Sequence, residues 1–114
     1  MRRDYNRIYR MFVKKDVDGL AKVFRNEFDD IVRGYARTAL TNLGWQPTDP
    51  VDQMRLFIAS YSKETILRYG NNAAPFLVTL LSDKIPDYRE DAAQMLDIMN
   101  GLPVQNRRKL HTVS

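Results

Sequence analysis

The segment APFLVTLLSDKIPDYREDAAQMLDIM, Ala74 to Met99, decides how the rest of the chain is read. Its apolar residues fall in two helical bursts split by a polar turn that contains a proline. Phe76, Leu77, Leu80 and Leu81 make one stripe, and Tyr88, Ala92, Met95, Leu96 and Met99 make a second, at the spacing of amphipathic helices. The earlier segment LAKVFRNEFDDIVRGYARTALTNL, Leu20 to Leu43, has the same grammar. Shifted by 57 positions, Leu20, Val23 and Phe24 fall on Leu77, Leu80 and Leu81; shifted by 56, Val32, Arg33, Ala36, Leu40 and Leu43 fall on Tyr88, Arg89, Ala92, Leu96 and Met99. A hairpin of two such helices leaves one apolar face for a neighbour to cover, so these units occur in arrays. The expected fold is all-α: a short α-solenoid of stacked antiparallel hairpins, about six or seven helices, with no strand, since no run alternates with period two.

Outward from the two hairpins the same rules place the other elements. Tyr5, Ile8, Tyr9 and Phe12 form a helical stripe near the start, with Asp4 as the expected N-cap. Asp16 or Asp18 can cap the next helix, and Asp29 or Asp30 the one that runs from Asp30 to Asn42. Gly44 suits the left-handed position after that helix, and Trp45 can fold back on its last turn. Asp49 and Pro50 read as N-cap and first helical residue. Met54, Phe57, Ile58 and Tyr61 face inward from a helix over about 50–60. Ser62 is expected to cap a helix over 63–69 with Ile66, Leu67 and Tyr69 inward, ended by Gly70. Asn71 or Asn72 is expected to cap the helix that carries Pro75 in its first turn. Gly101 and Pro103 stop the last helix. The expected division is one helical domain over 1–104: a capping helix over 1–15, a first repeat over 16–44, linking helices over 45–70 and a last repeat over 71–101. A basic tail covers 105–114.

Bulk properties narrow the classes. At 114 residues the chain is of one-domain size, and 44% apolar with 28% charged residues is ordinary globular composition. No apolar run approaches a membrane span, and MRRDYNRIYRMF contains no stretch that could act as a signal peptide. With no cysteine, disulfides, thiolate zinc sites and cysteine nucleophiles are excluded, and a cytoplasmic location is expected. The formal charge is +4, and its basic part sits at the ends. Arg2, Arg3, Arg7, Arg10, Lys14 and Lys15 face a single Asp4 at the start, and Arg107, Arg108 and Lys109 stand in the tail.

The segments GLAKVFRNEFDDIVRGYARTALTNLG and APFLVTLLSDKIPDYREDAAQMLDIMNG resemble the HEAT repeat, in particular the short bacterial and archaeal type also found in phycobilin lyases. The connecting LGWQPTDPVDQMRLFIASYSKETILRYGNNAAPFLVTLLSD looks like a segment that recurs between such units, so the resemblance spans roughly residues 16–101. It implies that Arg33 and Arg89 stand where the family carries an arginine on its second helix, which bonds a turn aspartate of a neighbouring repeat. Asp29 matches that aspartate, while Ile85 stands at its counterpart in the second turn. It also implies a protein-interaction scaffold that uses the surface lined by second helices. In a minority of the family the ligand is nucleic acid, and some members have lyase or isomerase activity on bilins.

Chemistry finds little purchase. His111, the one histidine, lies in the tail. Asp29–Asp30 and Glu90–Asp91 are adjacent pairs, which diverge on a helix. No glycine-rich phosphate loop is present, and no serine has a base at a readable spacing. The expectation is therefore no enzyme, no metal and no cofactor. For binding, the row Arg33, Arg37 and Thr41 beside one core stripe, with Arg89 and Asp97 at the same offset on the last helix, is either a solvated flank with ion pairs or the lining of an anion-binding groove. The expected function is a protein-binding scaffold or adaptor. The alternatives are nucleic-acid binding through Arg2, Arg3, Arg7, Arg10, Arg107, Arg108 and Lys109, and a bilin-lyase-like accessory role that the resemblance alone implies. Homo-oligomerisation through an uncapped apolar end is a further option.

Overall fold

The computed structural model describes residues 2–101, with side chains from residue 4 onward. Arg107, Arg108, Lys109 and His111 lie outside the described residues, as does Pro103. All regular structure in the described part is helical: α1 (Arg2–Val13), α2 (Val17–Asn26), α3 (Asp30–Asn42), α4 (Pro50–Ala59), α5 (Lys63–Tyr69), α6 (Ala74–Leu80) and α7 (Pro86–Met99), with a 3-10 turn at Gly70–Ala73. The chain is all-α, as its periodicity predicts. The helices fall into two compact units, 2–48 with Asp83–Ile85, and 49–82 with 86–101.

In the first unit α2 and α3 form the hairpin, and α1 packs on both. Ile8, Leu20, Phe24, Val32, Ala36 and Leu40 are buried, which takes one side chain or more from each helix. The boundaries follow from local chemistry. Asp16 accepts from Gly19 N at 3.0 Å and starts α2. A Cβ on Gly19 would run into the Asp16 carboxylate, so glycine keeps that cap open inside a helix where alanine would normally be preferred. Asp29 accepts from Ile31 N at 2.9 Å and Val32 N at 3.4 Å and starts α3. Gly44 takes φ of 76°, Trp45 N donates to Leu40 O at 2.9 Å, and the Trp45 ring stands edge-on to Phe24 with centroids 5.9 Å apart. This six-to-one closure is the Schellman motif. The same closure ends α1, where Asp16 N donates to Met11 O, and α4, where Ser62 N donates to Phe57 O, each at 2.8 Å. There the left-handed position is held by Lys15 and Tyr61 instead of glycine.

In the second unit α4, α5, α6 and α7 bury Met54, Ile58, Ile66, Leu77, Leu80, Ala92 and Met95. Asp49 caps α4 through Val51 N at 2.8 Å, and Pro50 follows it. Lys63 of α5 pairs with Asp91 of α7 at 3.1 Å.

Several expectations at helix ends are corrected. Asp4 lies inside the first turn of α1 and is not its N-cap. Ser62 precedes α5 but makes no side-chain cap bond; its hydroxyl turns to Ser60 O. Asn71 and Asn72 do not cap α6, because they are taken up in the 3-10 turn, and Ala73 precedes the helix with no side-chain cap bond. Tyr61, expected inward, is 87% exposed, since the left-handed turn swings it off the α4 stripe. Leu67, Tyr69 and Leu81 are likewise exposed.

Candidate functional site

The helical spacing puts Arg33 beside the core stripe, either on a solvated flank with ion pairs or lining a groove. It is fully buried, so it offers nothing to a ligand in solvent. Its Nη1 lies 2.9 Å from Asp83 Oδ1 and 3.1 Å from Asp83 Oδ2, while Nη2 donates to Glu27 O at 2.8 Å and Arg25 O at 3.4 Å. Those carbonyls belong to the end of α2, where the helix leaves acceptors unsatisfied and carries partial negative charge. Asp83 in turn accepts from Ile85 N at 2.9 Å, and Ile85 is buried. Arg33 thus closes α2 and holds the segment Asp83–Ile85. The resemblance assigned the turn aspartate to Asp29; the carboxylate beside Arg33 is that of Asp83, and Asp29 is occupied as the α3 cap. Ile85, directly before α7 as Asp29 is directly before α3, offers no carboxylate there. Asp83 lies two residues earlier in that turn and, like Asp29, accepts from the backbone N–H two residues on.

The other members of the row are placed differently. Arg37 is half-buried, and Thr41 is exposed with its hydroxyl donating to Arg37 O at 2.9 Å. Arg89 and Asp97 are half-buried on α7 in the other unit. The row on α3 is therefore a core arginine followed by a flank. Of the basic residues on α1 whose side chains are described, Arg7 pairs loosely with Glu27 at 3.7 Å, and Arg10 is exposed.

A different feature stands out on the first unit. The aromatic stripe of α1 covers only part of α3. Between the two helices runs an open groove of about 280 Å³, walled by Tyr5, Ile8, Tyr9 and Phe12 on α1 and by Tyr35, Thr38, Ala39 and Asn42 on α3. Ile8 and Ala39 are buried and make its floor. Tyr5 meets Tyr35 edge to face, with centroids 5.4 Å apart at 84°. Tyr5 and Tyr9 nevertheless remain 52% and 55% exposed. On the expected capping helix over 1–15 these aromatics pack one edge inward and turn the other to the groove. Tyr35 was missed altogether. Its signal was an aromatic one position before Ala36, just off the Val32, Ala36 and Leu40 stripe.

The polar atoms of the groove are three tyrosine hydroxyls, a threonine hydroxyl and an amide, arranged round apolar carbon. Such a surface, apolar with a few orienting hydrogen-bond groups, matches what binding pockets use. Tyrosine adds a large rigid contact with a polar tip. Among the described residues no group of three or more His, Cys, Asp or Glu is placed to hold a metal ion, and no helix is long and apolar enough to cross a membrane. No protein-family model, no curated protein and no solved structure matches the chain.

Proposed function

We propose that the chain is a non-enzymatic helical-repeat scaffold or adaptor, HEAT-like in its hairpins, that binds a protein partner in the cytoplasm. The observation that carries this reading is the groove between α1 and α3, where Tyr5 and Tyr9 keep more than half of their surface in water beside Tyr35. Aromatic surface held open on rigid helices is what protein interfaces concentrate at their centres. The repeated hairpins α2–α3 and α6–α7, and a buried arginine of one second helix bonded to a turn aspartate, support the HEAT-like part.

The test is affinity capture by the purified chain from lysate, split into nuclease-treated and untreated halves, beside the Tyr9→Ala variant. A partner that survives nuclease and is lost with Tyr9→Ala is expected. Exposed Arg10 and Lys14 favour nucleic acid as the second reading. That reading requires recovery to vanish with nuclease and affinity to fall steeply with salt as counterions are released.

A further inference from the structure

We propose that the outward face of α1, on the side of the helix away from the groove, lies along the phosphate backbone of a nucleic-acid duplex. This rests on the nucleic-acid reading, gives it a site, and is independent of the groove. Position comes first. At about 100° per residue, Arg7, Arg10 and Lys14 fall within an arc of about 60° on α1. Lys14 follows the last residue of α1, and its N–H still donates to Arg10 O at 3.0 Å, so it continues the same helical row. Tyr5, Ile8, Tyr9 and Phe12, which wall the groove, stand about 130–170° from the middle of that arc. All three basic side chains are exposed. Arg7 pairs loosely with Glu27 at 3.7 Å, while Arg10 and Lys14 form no ion pair among the described residues. The arc holds no acid and no apolar residue, and Asp4, half-buried, stands about 90° from its middle.

The chemistry of the row then selects the partner. A lipid surface takes an amphipathic helix by its apolar face, and that face of α1 is turned to the first unit, where Ile8 is buried. A protein interface places apolar or aromatic groups at its centre, and the row has none. Single strands are held by bases stacked on aromatic rings, and Tyr5 and Tyr9 stand on the groove side of the helix. What the row offers is cationic nitrogen in a line. From Arg7 to Lys14 it runs seven residues, about 10 Å at 1.5 Å per residue. One strand of a duplex sets a phosphate about every 3.4 Å along the axis, so the row matches about three successive phosphates. The arginine forks can each donate to two oxygens of one phosphate. No base edge is read by such contacts, so the binding is independent of sequence. The groove stays open while the row is occupied, and α1 can hold a protein on one side and a duplex on the other.

The experiment is fluorescence anisotropy of the full chain across a salt series with three labelled probes. They are duplex DNA and duplex RNA of about 20 base pairs, two helical turns, and a single strand of the same length. A duplex should bind whatever its sequence, and no less tightly than the single strand; the tighter of the two duplexes names the source. Arg10→Gln with Lys14→Gln should lower the slope of log affinity against log salt by about 2, one unit for each phosphate contact removed. Tyr9→Ala, on the groove side, should leave both slope and affinity unchanged. Duplex binding with an unchanged slope in the Arg10→Gln, Lys14→Gln variant overturns the row and leaves the nucleic-acid reading to another part of the chain. No binding of any probe at low salt overturns the inference and that reading together. Preference for the single strand overturns the duplex in favour of stacking. Binding of phosphatidylserine vesicles that needs Arg10 and Lys14, without binding of either duplex, overturns it as well.

Discussion

Arg33 Nη1 lies 2.9 Å from Asp83 Oδ1, and neither side chain touches solvent. Fifty positions separate the two residues, and the pair holds the segment Asp83–Ile85 against the end of α2. A buried ion pair contributes little net stability over an apolar substitute, but losing one partner strands the other charge. Arg33→Ala and Asp83→Ala should therefore each destabilise the protein by about 3–5 kcal/mol. The double variant should lose clearly less than the sum, because the two act as a unit. Urea unfolding of the four proteins in a double-mutant cycle checks this. Additive losses would mean that the two side chains act independently.

Three helix ends close in the same way, but only α3 has glycine at the left-handed position. Lys15 and Tyr61 hold φ of 57° and 56°. A side chain there costs roughly 1–2 kcal/mol, partly offset because glycine loses more freedom on folding. Lys15→Gly and Tyr61→Gly should each raise stability by up to about 1 kcal/mol, whereas Gly44→Ala should lower it by a similar amount. Thermal melts of the three variants test the signs.

The caps make a contrasting pair. Asp29 bonds two backbone N–H groups of α3, and Ser62 bonds none of α5. Asp29→Ala should cost about 1 kcal/mol, and Ser62→Ala should stay within about 0.5 kcal/mol of the wild type. Equal losses would show that Ser62 acts as a cap in solution.

Core packing sets the larger numbers. Leu80 is fully buried, so Leu80→Ala should cost about 2–5 kcal/mol. Ala36 and Ala92 have no exposed surface, and leucine at either should cost about 1–3 kcal/mol through overpacking. By contrast, Tyr9→Ala should change stability far less than Leu80→Ala, since Tyr9 is more than half in water.

Much of this was legible in the sequence, and the failures share a cause. The span of α3 could be read because Asp29, Asp30 and Gly44 are local signals, each acting within a few residues of its own position. Asn71 and Asn72 carry the same kind of signal as Asp29, but Gly70 opens a 3-10 turn that absorbs both. Arg33 was placed correctly on α3 beside the core stripe. Its burial was not legible, because helical spacing gives an angle round the axis and not what lies opposite, here a carboxylate fifty residues on. The groove was half legible. The α1 stripe of Tyr5, Tyr9 and Phe12 was visible, but its partner Tyr35 sits off the α3 core stripe, and only the packing of α1 on α3 brings the two together.

The most direct test of the central claim is amide hydrogen exchange of the full chain, alone and bound to a protein captured in nuclease-treated lysate. Slowed exchange across residues 5–12 of α1 and 35–42 of α3, absent with Tyr9→Ala, is the result the groove predicts. Protection confined to other helices, or a complex that forms equally well with Tyr9→Ala, would contradict it.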